Sequence, residues 1–222
     1  MILAAGRGER MRPLTDTCPK PLLQAGGKPL IAWHLEALAA AGFREVVINH
    51  AHLGALLERA LGDGARWGLR IAWSPENPAL ETAGGIAHAL PLLGSEPFLV
   101  INGDVFCDFP LARALTIAAQ MQAARLLAWC VLVPNPPHHP DGDFALADGL
   151  LDAGRRSLTF SGIGVYRPEL FAGLDPDAPA RLAPLLREAA ARGRVGAELH
   201  DGRWIDVGTP ERLAAVDAQL RR

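Results

Sequence analysis

Short apolar runs alternate with amphipathic stretches along nearly the whole chain, and this alternation constrains the fold more than any other feature. Residues 1–4, 45–49 (EVVIN), 69–73, 98–102 (FLVIN), 125–133 and 158–166 read as strands. FLVIN is apolar almost throughout, as a strand covered on both faces should be. Residues 29–41, 54–61, 82–93 and 111–122 read as helices; the first places Leu30, Trp33, Leu35 and Leu38 among its apolar positions. A βαβα order of this kind implies the α/β class: a Rossmann-like mixed, mainly parallel sheet with helices on both faces. Two further helices are expected near 180–192 and 210–220, flanking short strands near 195–199 and 204–207. Residues 134–157 are rich in Pro, Gly, His and Asp and read as a surface excursion with a short hairpin near 143–146. With no repeat and no linker, residues 1–222 are expected to form a single domain.

Composition excludes some classes of function. Half of the 222 residues are hydrophobic and the formal net charge is −2. That balance argues against a general binder of nucleic acid or anionic membranes, while leaving room for a local cationic pocket. No stretch is apolar for long enough to cross a membrane, and no basic region followed by an apolar run opens the chain. Cys18, Cys107 and Cys130 are odd in number and unrelated in spacing, so they read as free thiols of a cytoplasmic protein. His50, His52 and the His138-His139 pair read as loop or interface histidines, since no third ligand stands at a suitable spacing.

The chemistry concentrates at the ends of apolar runs. After the first strand comes a loop containing Gly6, Gly8, Arg10 and Arg12. Small residues at the carboxyl edge of an α/β sheet let backbone N–H groups approach phosphate, and Arg can chelate it. Neither a dinucleotide fingerprint nor a P-loop fits, because Met11 stands where a glycine is needed and no Gly-Lys-Ser/Thr follows. Lys20 is framed by Pro19 and Pro21, which restrict its presentation. It is one of only two lysines among 22 cationic residues. FLVIN runs into Gly103-Asp104, and Trp204-Ile205-Asp206-Val207-Gly208-Thr209-Pro210 repeats the pattern of apolar strand, Asp and glycine turn. A strand-terminal Asp is commonly a cap; at the second site Thr209 is the better cap, which frees Asp206. Thr82 reads as a helix N-cap, with Gly84 and Gly85 closely packed behind it.

The run LAAGRGERMRPLT…CPKPLL, taken with INGD and WIDVGT, resembles the signature of the sugar-1-phosphate nucleotidyltransferases, whose fold is the nucleotide-diphospho-sugar transferase fold. The resemblance implies that Ala5, Gly6, Gly8, Glu9 and Arg10 line the nucleotide, and that Lys20 contacts phosphate at the reacting centre. It implies that Asp104 and Asp206 bind Mg²⁺, so that Arg10, Lys20, Asp104 and Asp206 form the catalytic set. Glu76, Glu81, Thr82 and Gly84 would cradle the nucleobase, and Asp108, Gly142, Asp143 and Gly162 would lie near the sugar. The implied substrates are UTP and a sugar 1-phosphate. Two alternatives stand beside this: a mannose- or glucose-1-phosphate enzyme using GTP or dTTP, and a non-catalytic protein that binds nucleotide sugar. The chain departs from many relatives in lacking a Glu-Glu-Lys-Pro stretch before TFSGIG, where relatives contact the sugar.

Overall fold

The computed structural model describes residues 1–221. Its strands are β1 (Ile2–Leu3), β2 (Gln24–Ala25), β3 (Lys28–Pro29), β4 (Glu45–His50), β5 (Arg70–Pro75), β6 (Phe98–Asn102), β7 (Val105–Cys107), β8 (Ala128–Pro134), β9 (Ala145–Ala147), β10 (Leu150–Asp152), β11 (Leu158–Tyr166), β12 (Val195–Leu199) and β13 (Trp204–Asp206). Its helices are α1 (Leu30–Ala40), α2 (Gly54–Leu61), α3 (Glu81–Leu93), α4 (Arg113–Ala123), α5 (Leu182–Ala191) and α6 (Pro210–Leu220). Nine strands form one sheet in the order β5-β4-β1-β6-β11-β8-β12-β10-β9. Only β10 and β11 run against the rest, so the sheet is mixed and mainly parallel.

Alternation along the strands sorts side chains into two cores. Ile2, Val46, Ile48, Leu99 and Ile101 meet Ile31, Leu35 and Leu38 of α1, Leu57 and Leu61 of α2, and Ile117 and Met121 of α4. Val47, Phe98 and Val100 point to the opposite face and meet Ile86 of α3 and Leu182 and Leu186 of α5. Each such aliphatic side chain, fully buried, contributes about 1.5–3 kcal/mol. A third cluster joins Met11, Leu23, Ala25 and Leu30 to Val207 and Val216. It clamps the N-terminal loop against α6, and Gly26 N–H donates to Asp217 Oδ1 at 2.8 Å.

Several expected elements shift. The loop of residues 5–28 contains 3-10 turns at Glu9–Met11, Leu14–Asp16 and Lys20–Leu22, followed by the β2–β3 pair. The hairpin lies at β9–β10 rather than 143–146, with Asp148 (φ 50°) and Gly149 (φ 77°) as a two-residue turn. His50 closes β4 instead of lying in a loop, and its Nε2 sits 2.7 Å from Glu58 Oε1. Helix α3 begins at Glu81, and Thr82 does not cap it. The amides of Ala83 and Gly84 donate instead to Ala180 O, at 2.9 and 3.1 Å. The expected strand at 204–207 is β13, which leaves the main sheet and pairs antiparallel with β7.

Candidate active site

The small β7–β13 ladder assembles the site. Its register pairs Asp206 with Val105, and Val207 N–H donates to Asp104 O at 2.8 Å. The two aspartates, a hundred residues apart in sequence, thus stand side by side at the carboxyl end of β6. Trp204 Nε1 donates to Ser161 O at 2.8 Å and ties the ladder to β11. Thr209 caps α6, its Oγ1 accepting from Arg212 N–H at 3.4 Å, so Asp206 is free of that task as expected. Each carboxylate is held by a cation: Lys20 Nζ lies 2.6 Å from Asp104 Oδ2, and Arg212 Nη1 lies 2.7 Å from Asp206 Oδ2.

Two cavities flank this pair. One of about 350 Å³ is lined by Ala5, Gly6, Lys20, Asn49, Glu81, Thr82 and Asp104. Gly6 has nothing within 4 Å of where a β-carbon would stand, so its backbone faces open space, as an approach to phosphate requires. Gly8 is left-handed at φ 64° and packs under Lys20 and Thr15; it shapes the loop without lining the cavity. Glu9 opens the first 3-10 turn and also lines neither space. The second cavity, of about 380 Å³, is lined by Arg10, Asp104, Asp206, Phe160, Gly162 and both His138 and His139. Asn102 lines both.

A buried chain of hydrogen bonds fixes one wall of the first cavity. Ala4 N–H donates to Asn49 Oδ1 at 2.8 Å, Asn49 Nδ2 donates to Glu76 Oε1 at 2.6 Å, and Leu80 N–H donates to Glu76 Oε2 at 2.8 Å. Both Glu76 oxygens are thus engaged with Asn49 and the entry to α3, and Glu76 does not line the first cavity. Gly84 is a packing residue, since a methyl there would lie 2.6 Å from Ala178 O. Asn49 went unrecognised in the sequence, although it ends EVVIN as Asn102 ends FLVIN.

Around the second cavity, the residues expected near the sugar divide. Gly162, at φ 81°, lies in a bulge of β11 against the Asn102 side chain and lines the cavity. Asp143 stands at the neighbouring wall, where its Oδ2 accepts from Phe160 N–H at 2.9 Å and its Oδ1 lies 3.1 Å from His139 Nε2. Gly142 makes the turn beside Asn135 and lines neither cavity. Asp108 points elsewhere: His200 Nε2 lies 2.9 Å from its Oδ1 and Arg203 Nε 3.3 Å from its Oδ2. Cys107 joins that group, with ligand-type atoms of all three within 4.8 Å of one another, yet Arg203 already supplies the cation there. The His138-His139 pair is not idle loop. Arg212 Nη1 donates to His138 Nε2 at 2.8 Å, and burial followed by the Arg212 charge holds the His138 pKa below its ordinary value.

An open α/β sheet with a glycine loop, a buried lysine and paired aspartates at the carboxyl ends of its strands is a nucleotide-processing site. The chain belongs to the nucleotidyl transferase family, whose profile matches residues 1–142. It is 56% identical to the N-acetylmuramate alpha-1-phosphate uridylyltransferase of Neisseria meningitidis serogroup B, across 98% of this chain and 96% of that protein. It is 39% identical to the protein of the same name from Caulobacter vibrioides, across 99% and 96%. The structure superposes on UDP-glucose pyrophosphorylase bound to UDP-glucose with a TM-score of 0.77 and 21% identity, over 98% of this chain and 96% of the other.

Proposed function

We propose that the chain transfers a uridylyl group from UTP to N-acetylmuramate 1-phosphate, releasing pyrophosphate. The observation that carries the reaction type is the convergence of Asp104 and Asp206 beside Lys20 at the junction of two cavities. The choice of base and sugar rests on the likeness to the Neisseria enzyme. The triphosphate enters the cavity floored by Ala5 and Gly6, and the acceptor enters the one lined by Arg10 and Gly162. A phosphate oxygen of the acceptor attacks the α-phosphorus of UTP, and the α–β bridging oxygen leaves with pyrophosphate. That acceptor oxygen is already largely ionised near neutral pH, because the second phosphate pKa is about 6. No general base is needed. The obstacle is the approach of two anions, and the chain opposes it with fixed positive charge. Lys20 meets the triphosphate; Arg10, expected on the nucleotide but lining the second cavity, meets the acceptor phosphate, while amides of the glycine loop add oriented dipoles.

Asp104 and Asp206 fit a Mg²⁺ ion in this reading. They offer adjacent hard oxygen donors, each now balanced by one cation and each partly open to solvent. When bound, the ion supplies positive charge where the transition state becomes more negative. The test is pyrophosphate release from four nucleoside triphosphates crossed with the 1-phosphates of N-acetylmuramate, N-acetylglucosamine, glucose and mannose, with Mg²⁺ and with chelator. The expected result is a fastest rate with UTP and the muramate substrate, abolished by chelation. Preference for another pair would overturn the specificity, and no two-substrate release would overturn the reaction.

A further inference from the structure

A third cavity, of about 260 Å³, adjoins the other two. It shares Glu81 and Thr82 with the nucleotide side, Phe160 with the acceptor side and Asn102 with both. Its outer wall is formed by Arg181, which stands at the N-cap of α5, and by α5 itself, which contributes Arg187. The two arginines are unlike. Arg187 is committed within the protein: Nη1 donates to Ala153 O at 3.1 Å, Nη2 donates to Asp143 O at 3.2 Å, and the guanidinium lies 4.9 Å over the Phe144 ring. Arg181 meets only Glu81 among the described residues, with Nε 3.9 Å from Oε1 and its side chain 79% exposed. A pair so long and so exposed has little hold on either partner. The other acid on this wall, Asp143, is occupied by Phe160 N–H and His139. The cavity beside the acceptor therefore presents a planar cationic fork whose two Nη groups are uncommitted.

A plain hexosamine 1-phosphate has no anionic group for such a fork beyond the phosphate itself, which the reading above places against Arg10 in the neighbouring cavity. Muramate differs from glucosamine by a lactyl ether ending in a carboxylate, which is ionised at neutral pH. The geometry points to a carboxylate subsite in this cavity, with Arg181 receiving the acid of the acceptor in a bidentate contact. This inference rests on the muramate reading above, and it explains how the chain would tell that sugar from the parent that lacks the carboxylate.

The experiment measures kcat/KM for N-acetylmuramate 1-phosphate and N-acetylglucosamine 1-phosphate, at saturating UTP, in the wild type, Arg181→Met and Arg181→Lys. In Arg181→Met the ratio favouring muramate should fall about 10- to 100-fold, the range of a charge-assisted contact, with the loss in KM for muramate. Lys should restore part of it, having the charge without the fork. Unfolding midpoints report whether the fold is intact. A wild type that prefers muramate, paired with an Arg181→Met variant that keeps the full preference, overturns the subsite alone. A wild type indifferent to the lactyl group overturns the muramate reading and the subsite together.

Discussion

Lys20 and Asp104 touch at 2.6 Å but are unequally buried, the lysine side chain 10% exposed and the aspartate 37%. That asymmetry makes the two single mutants differ. Asp104→Asn leaves an ammonium with no anion and little access to water. Breaking a buried pair in this way should destabilise by about 2–3 kcal/mol, discounted from the full buried value because Asp104 is half open. For a chain of this size that is a fall of roughly 5–10 °C in Tm. Lys20→Met leaves a carboxylate that water can reach, and the methionine keeps the buried stem; the expected loss is below about 1 kcal/mol. Turnover should fall in both, by about 10²- to 10³-fold in Lys20→Met and at least about 10³-fold in Asp104→Asn. Thermal unfolding with chelator and no nucleotide, followed by pyrophosphate release with Mg²⁺, gives both numbers. If Lys20→Met proves the less stable variant, the burial argument is wrong. A near-normal rate in Asp104→Asn refutes its role at the metal.

Gly162→Ala places a methyl 2.7 Å from Asn102 Nδ2 at a backbone φ of 81°. The left-handed backbone alone costs about 1–2 kcal/mol. Because Asn102 borders both substrate cavities, KM for both substrates should rise roughly tenfold or more; unaltered KM values would show that Asn102 has no part in binding. Burial lowers the His34 pKa from 6.5 to about 4, against the opposing pull of the Asp104 charge. The folded value lies below the unfolded one, so the unfolded chain takes up the proton first. This contribution to stability is complete above pH 6.5 and is lost as pH falls toward 4, by up to about 3 kcal/mol. His34→Gln should flatten the dependence of Tm on pH in that window, and an identical slope in both proteins would exclude His34 as its source.

What was legible in the sequence was periodicity and motif. The core strands and helices announced themselves because each buries a face that its own local pattern specifies. The ends moved where tertiary contacts rather than local caps set them, as where Ala180 O takes the amides that Thr82 was expected to cap. The β7–β13 ladder was hidden, since three-residue strands paired across about a hundred residues carry no periodic signal. The β9–β10 turn did carry one: Asp148-Gly149 is a favoured two-residue hairpin loop, and it lay just beyond the place expected. Among the residues singled out, Gly6, Asp104 and Asp206 were visible from their places at strand ends and Lys20 from its proline frame, and the structure brings all four together around two cavities. Glu76 is taken up in hydrogen bonds to Asn49 and Leu80, and Gly84 in close packing against Ala178, which local sequence does not reveal. Arg212 and His138 act through space from α6 and the 134–157 excursion, and spacing alone could not bring them to Asp206.

The pairing of Lys20 with Asp104 and of Arg212 with Asp206 has a consequence for how the substrates arrive. A divalent cation entering alone would meet carboxylates already neutralised by close cations, and a triphosphate entering alone would meet a lysine already engaged by a carboxylate. Each ligand would have to break an ion pair for which the other ligand offers the replacement partner. Arriving together, the metal would be held by the carboxylates while the phosphates met Lys20, so the Lys20–Asp104 pair would be exchanged with neither of its charges left bare. On the proposed function, metal and nucleotide binding should therefore be mutually dependent. The same affinity factor should appear whether UTP is titrated with and without Mg²⁺ or Mg²⁺ with and without UTP, since such coupling is reciprocal. The ladder that sets Asp206 beside Asp104 is the structural cause, because on the proposed function it offers both acids to one ion.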